Sequence, residues 1–227
     1  MLDGDWREAV DRGLVPIGKS LRRTGITADV VTVIGILMAA GAAVAIGAGQ
    51  LKIGFLLLIL TGIPDALDGA VAKASGTTSL RGAYFDSVSD RLTDILLFGG
   101  VAWHLSETND SQIVMLPVAL MGAAILVSYQ RAKAESLGFD AKGGLMERAE
   151  RFIALAFGLL FSSLLVPTLW VMLALTLQTA GARFLKVWRQ ASEVRPEPLP
   201  RPERRIRRRA TRPRSSGASA RRRDRTR

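Results

Sequence analysis

The chain has 227 residues, is 48% hydrophobic with a mean hydropathy of +0.22, and carries a formal net charge of +11. Residues 195–227 hold 14 Arg against 3 acids, so the remainder is neutral and apolar: one membrane domain with a basic tail. No cysteine is present, which excludes disulfides and thiol chemistry.

In chain order, residues 1–29 form a juxtamembrane segment. Trp6, Val10, Leu14, Ile17 and Leu21 alternate there with Arg7, Arg12, Lys19 and Arg22, the pattern of an amphipathic helix at a membrane surface. The terminus lacks the basic and apolar regions of a signal peptide. Val30–Gly49 is the first expected span, rich in Ala and Gly that permit close packing in lipid, with Asp29 placed to cap it. Ile53–Pro64 supplies only 12 apolar residues, so the second span must run on through Asp65 and Asp68 towards Lys73. Pro64 is expected to kink it.

The third span runs from Gly82 to His104 and carries Asp86, Asp90 and Asp94 on one stripe. Arg91 lies off that stripe, in reach of a neighbouring acid; His104 reads as an interfacial residue. Ile113–Tyr129, Phe152–Val166 and Thr168–Val187 complete six spans. The expected fold is therefore an all-α integral membrane protein of six transmembrane helices with an N-terminal amphipathic interfacial helix. Its membrane domain covers 30–190, and 191–227 is expected to be a disordered tail. Lys and Arg concentrate in 1–29, 73–81, 131–151 and 186–227, while the alternate loops hold only Lys52. The positive-inside rule then puts both termini and the acidic stripe on the cytoplasmic side of the cell membrane. The tail reads as a binder of anionic headgroups; no aromatic interleaving supports nucleic acid.

Asp65 and Asp68 are three apart, Gly82, Asp86 and Asp90 four apart, and the turn at 75–79 lies midway between the two sets. An antiparallel hairpin would bring the four carboxylates together, where they repel unless a cation sits among them. Oxygen-only ligation points to a hard divalent ion, Mg²⁺ or Mn²⁺. Arg131, Lys133, Arg148, Arg151 and Arg183 gather at the cytoplasmic ends of spans four to six, a basic cluster suited to an acceptor that already bears a phosphate.

The spacing D-x2-D-G-x2-A-(basic)-x8-G-x3-D-x3-D, here Asp65, Asp68, Gly69, Ala72, Lys73, Gly82, Asp86 and Asp90, resembles the signature of the CDP-alcohol phosphatidyltransferases. Lys73 stands where that family usually has Arg. The stretches Ser128–Glu135 and Gly143–Arg151 resemble the actinobacterial phosphatidylinositol phosphate synthases, with Lys and Arg exchanged at 131 and 133 and Ala149 in place of Pro. The resemblance covers about residues 14–190. It implies transfer of a phosphatidyl group from CDP-diacylglycerol to inositol 1-phosphate with release of CMP, by a homodimer. It also implies a pair of divalent ions on Asp65, Asp68, Asp86 and Asp90, and makes Asp90 the general base. Asp29, Thr32, Gly69, Ala72, Lys73 and Gly82 would meet the nucleotide. The competing readings are a phosphatidylglycerophosphate synthase using glycerol 3-phosphate, a cation transporter lined by intramembrane acids, and a binder acting through its tail.

Overall fold

The computed structural model describes residues 27–62, 80–108 and 111–193, and all of them are helix or short connection, with no strand among them. Six α-helices follow in order among the described residues. They are α1 (Ala28–Gly47), α2 (Leu51–Gly62), α3 (Leu80–Thr108), α4 (Ser111–Ser136), α5 (Arg148–Leu160) and α6 (Leu165–Glu193). The N-terminal segment up to residue 26, Pro64, Asp65, Asp68, Gly69, Ala72, Lys73 and the tail from 194 lie outside the described residues, whereas 191–193, expected in the tail, continue α6.

The cap of α1 is Thr27 and not Asp29: the Val30 N–H donates to Thr27 Oγ1 at 3.4 Å, and Asp29 falls in the first turn. There its charge suits the positive end of the helix. A turn at Gly49, with φ of 75°, reverses the chain into α2. Such a backbone angle is easy only for glycine.

Small residues set the helix spacing. A Cβ at Gly100 of α3 would stand 2.5 Å from the carbonyl oxygen of Ala43 on α1, so the two backbones touch with no side chain between them. Gly54 of α2 instead makes room for the Ile46 side chain of α1. Beyond these contacts, α3 packs on α4, α4 on α6, and α6 on α5. One apolar core runs through the bundle from Ile46 through Leu97, Val101 and Leu120 to Leu155, Leu169 and Met172.

Large apolar side chains also cover the outside. Leu37, Met115 and Trp170 are each at least 60% exposed, as suits helices set in lipid. Three segments of the described chain, Asp29–Gly47, Gln112–Ser136 and Ser162–Glu193, are long and apolar enough to cross a membrane. The protein is thus an all-helical membrane protein. The 29-residue α3 is long enough too, but its first half carries Arg81, Asp86, Asp90, Arg91 and Asp94 and is markedly polar.

The expected break between the last two spans, between Val166 and Thr168, is shifted towards the N-terminus. Helix α5 stops at Leu160, a single 3₁₀ turn occupies Ser162–Leu164, and α6 begins at Leu165. Pro167 sits in the first turn of α6, where a missing N–H costs no helical hydrogen bond.

Candidate active site

Helix α3 delivers its polar residues at one-turn intervals, and their exposure changes along it. Asp86 is exposed, Asp90 half-buried and Asp94 buried. The stripe therefore descends from the rim into the bundle.

Two residues at the start of α5 answer it. Arg148 Nη1 lies 3.0 Å from Asp90 Oδ1, and Arg151 Nη2 lies 2.6 Å from Asp94 Oδ2. The register is simple: residues four apart on α3 face residues three apart on α5. Arg91 reaches back to Asp90 Oδ2 at 3.3 Å and donates to the Ser87 carbonyl at 2.8 Å, as its position beside the stripe allowed. Asp94 and Arg151 are both nearly withdrawn from solvent, so Asp94 is committed to a structural pair. Two cations in the first turn of a helix oppose its dipole. The facing carboxylates offset that cost.

Arg183 of α6 supplies the third wall. It is only 4% exposed, and donates to the Val127 carbonyl at 2.8 Å, the Gly143 carbonyl at 3.0 Å and Glu147 Oε1 at 3.0 Å. It thus joins α4, the connection after it and the start of α5. Glu147, which ends that connection, caps α5 through its backbone: the Arg151 N–H donates to its carbonyl at 3.1 Å.

These groups enclose a cavity of about 210 Å³ lined by Asp90, Asp94, Arg131, Arg148, Arg151 and Arg183, among others. Arg151 Nε and Arg183 Nε are buried there without a hydrogen-bond partner among the described residues. A buried donor left unpaired costs about 1–3 kcal/mol, and an oxyanion would remove that cost. Of the five basic residues expected to bind an acceptor, four line this cavity. Lys133 does not; it is exposed on α4, while Arg131 beside it binds Glu135 at 3.0 Å and still borders the cavity.

A larger cleft of about 580 Å³ lies between α5 and α6, lined by Ile153, Phe157, Leu164 and Val171. Apart from Glu150 and Thr168 its lining residues are apolar, so the smaller polar cavity is the one with chemistry.

Of the expected nucleotide residues, Asp29 pairs with Arg81 of α3, which ties the entrance of α1 to the start of α3. Thr32 lies one turn further along α1, and Gly82 stands half-buried one turn before Asp86. Among the described residues no group of three or more acids or histidines is close enough to hold a metal. Two of the four expected ligands lie outside them. The two within, Asp86 and Asp90, offer carboxylate oxygens only, which fits a hard divalent cation and not a soft one.

Sequence reading missed the polar side chains that hold the 137–147 connection: Asp140, Glu147, Lys186 and Gln190. Lys186 Nζ meets Asp140 Oδ2 at 2.8 Å, and this contact holds the Asp140 carboxyl below its ordinary value. A signal was present: Thr179, Arg183, Lys186 and Gln190 are spaced by four, three and four residues, which puts them on one face of a largely apolar helix.

The CDP-alcohol phosphatidyltransferase family matches residues 25–189. A phosphatidylinositol phosphate synthase of Mycobacterium marinum is 31% identical, over 80% of this chain and 82% of its own. The crystal structure of the Mycobacterium tuberculosis phosphatidylinositol phosphate synthase with CDP-DAG bound superposes with a TM-score of 0.73 at 29% identity, covering 78% of this chain and 94% of that one. The same enzyme in complex with manganese and citrate gives 0.72 at 29% identity, over 77% and 88%.

Proposed function

The chain belongs to the CDP-alcohol phosphatidyltransferase family, and on that premise we propose that it is a phosphatidylinositol phosphate synthase. It moves the phosphatidyl group of CDP-diacylglycerol to a hydroxyl of inositol 1-phosphate and releases CMP. The single observation that carries this reading is the cavity uniting Asp90 with Arg131, Arg148, Arg151 and Arg183. A carboxylate able to accept a proton borders a set of guanidiniums able to hold a phosphate.

The acceptor's phosphate sits among Arg131, Arg148, Arg151 and Arg183, and its hydroxyl is turned towards Asp90. The hydroxyl oxygen attacks the phosphorus that bears the diacylglycerol, the bond to the bridging oxygen breaks, and CMP departs with that oxygen. Asp90 takes the hydroxyl proton, held in place by Arg148 and Arg91. Asp65, Asp68, Asp86 and Asp90 would hold a pair of Mg²⁺ or Mn²⁺ ions. Bound there, the pair neutralises diphosphate charge and steadies the leaving group. Asp29, Thr32, Gly69, Ala72, Lys73 and Gly82 approach the nucleotide, the glycines by exposing backbone. Lys133 stays outside the acceptor cavity and serves the membrane flank.

The same reading places six spans within residues 30–190 of the cell membrane, in a homodimer. The site and both termini face the cytoplasm, residues 1–29 lie at the surface, and 191–227 meets anionic headgroups. The excess of Lys and Arg on that side supports the orientation.

Purified protein with CDP-diacylglycerol and Mn²⁺ or Mg²⁺ is given inositol 1-phosphate, glycerol 3-phosphate or unphosphorylated inositol, and CMP is measured. Release with inositol 1-phosphate far above the other two is expected. Equal rates with unphosphorylated inositol would sink the assignment of the arginines.

A further inference from the structure

The connection between α4 and α5 is laced along one face of α6, with residues 140 to 146 meeting Gln190, Lys186, Arg183 and Thr179 in reverse chain order and Glu147 returning to Arg183. Gln190 accepts from the Asp140 N–H at 3.0 Å and donates to the Asp140 carbonyl at 2.7 Å. Lys186 holds the Asp140 carboxylate at 2.8 Å and the Lys142 carbonyl at 3.0 Å. Arg183 takes the Gly143 carbonyl and Glu147, and Thr179 Oγ1 accepts from the Met146 N–H at 3.2 Å. The stripe on α6 thus reads residues 140–147 as a strap, and the strap ends where Arg148 begins.

Two glycines let the strap lie so close. Gly143 has φ of 94° and Gly144 of 153°, angles that residues with a Cβ rarely adopt. The space a Cβ would need at Gly144 is filled by the Thr179 methyl.

We propose that Gly144, Thr179 and Gln190 are positioning residues for the acceptor: by pinning the strap to α6 they set where Glu147, Arg148 and Arg151 stand in the cavity. None of the three lines the cavity, so they act only through the strap. Asp90 is held from within α3 by Arg91 as well as by Arg148 of α5. A displaced strap therefore acts first on acceptor affinity and far less on turnover. This inference rests on the reading of the cavity as the acceptor site.

The test compares Gly144→Ala, Gln190→Ala and Gly138→Ala, each in the full-length protein in detergent. Gly138 also has a positive φ, of 80°, but nothing surrounds it within 4 Å, so it controls for backbone cost alone. Gly144→Ala is expected to raise the acceptor KM about tenfold, and Gln190→Ala about threefold. In both, kcat and the KM for CDP-diacylglycerol stay within about twofold of wild type. Adding Thr179→Ser to Gly144→Ala removes the obstructing methyl, keeps the hydroxyl, and is expected to recover part of the loss. The inference is overturned if Gly144→Ala and Gln190→Ala match Gly138→Ala, or if they lower kcat with acceptor KM unchanged. Gln190 is at the rim, so its variant reports even if Gly144→Ala fails to fold.

Should wild type release no CMP with any phosphorylated polyol, the proposed function falls. The strap is then read by inorganic phosphate affinity and by hydrogen exchange of the 140–147 amides. Gln190→Ala weakening phosphate and speeding that exchange supports the strap; unchanged values of both overturn it.

Discussion

Arg151 and Asp94, 57 residues apart in sequence, form an ion pair of 2.6 Å with both side chains at least 95% buried. Arg151 also donates to the Met146 carbonyl at 3.3 Å, so the pair fastens the start of α5 to the middle of α3. Breaking one half strands the other charge in the bundle, at a cost of about 3–5 kcal/mol. Arg151→Met is expected to lower the unfolding temperature in detergent sharply. Pairing it with Asp94→Leu should recover most of that stability while acceptor binding stays impaired. A double variant no more stable than the single would show that the pair is not a closed unit.

Asp90 tests the chemistry itself. Asp90→Asn preserves shape and a hydrogen-bonding oxygen for Arg148 but cannot take a proton. CMP release should fall about 10²–10⁴-fold with the unfolding temperature little changed. Turnover near the wild-type rate would remove Asp90 as base.

Arg131 and Lys133 separate the cavity from the ordinary basic flank. Arg131 borders the cavity and Lys133 does not. Arg131→Ala should raise the acceptor KM about tenfold, whereas Lys133→Ala should leave it within about twofold. The reverse ranking in steady-state kinetics would exchange their roles.

Gly100 tests the packing that carries the acidic stripe. A Cβ there meets the Ala43 backbone, which cannot swing aside as a side-chain tip could. Gly100→Ala should destabilise the protein by about 1–3 kcal/mol, seen as a lower unfolding temperature. Gly99→Ala, where nothing lies within 4 Å, should not.

Asp140 gives a pH signature. Its carboxyl is held below the ordinary value of 3.8, first by Lys186 and then by the Lys142 N–H. A carboxyl depressed in the folded state contributes stability above its unfolded pKa and loses it as pH falls through the folded one. Protection of the 140–142 amides from exchange should therefore persist on acidification to about that ordinary value and fade below it. Lys186→Met should move the loss to higher pH. An Asp140 resonance titrating at its ordinary value in wild type would contradict the contact.

Much of the fold was legible because lipid imposes a simple rule on sequence. Apolar runs marked the helices, and Gly100 and Gly54 sit where helices touch, as small residues in such runs do. Helix ends were less legible. Asp29 reads as a cap by type, yet Thr27 holds the position, because either oxygen satisfies the same N–H groups. The last break moved to Phe161–Leu164 because Pro167 is tolerated inside a first helical turn and need not mark a loop.

By itself the sequence determined the family, through acids and glycines at set intervals, and the gathering of basic residues beyond the fourth span. Helical periodicity turns spacing into a shared face, so Asp86, Asp90 and Asp94 could be aligned before any coordinates. Which arginine meets which carboxylate was decided only by the tertiary structure. Arg148 on Asp90, Arg151 on Asp94 and Arg183 on three carbonyl or carboxylate oxygens depend on how α5 and α6 rotate against α3 and α4. That rotation is set by packing between distant segments, which no local pattern records.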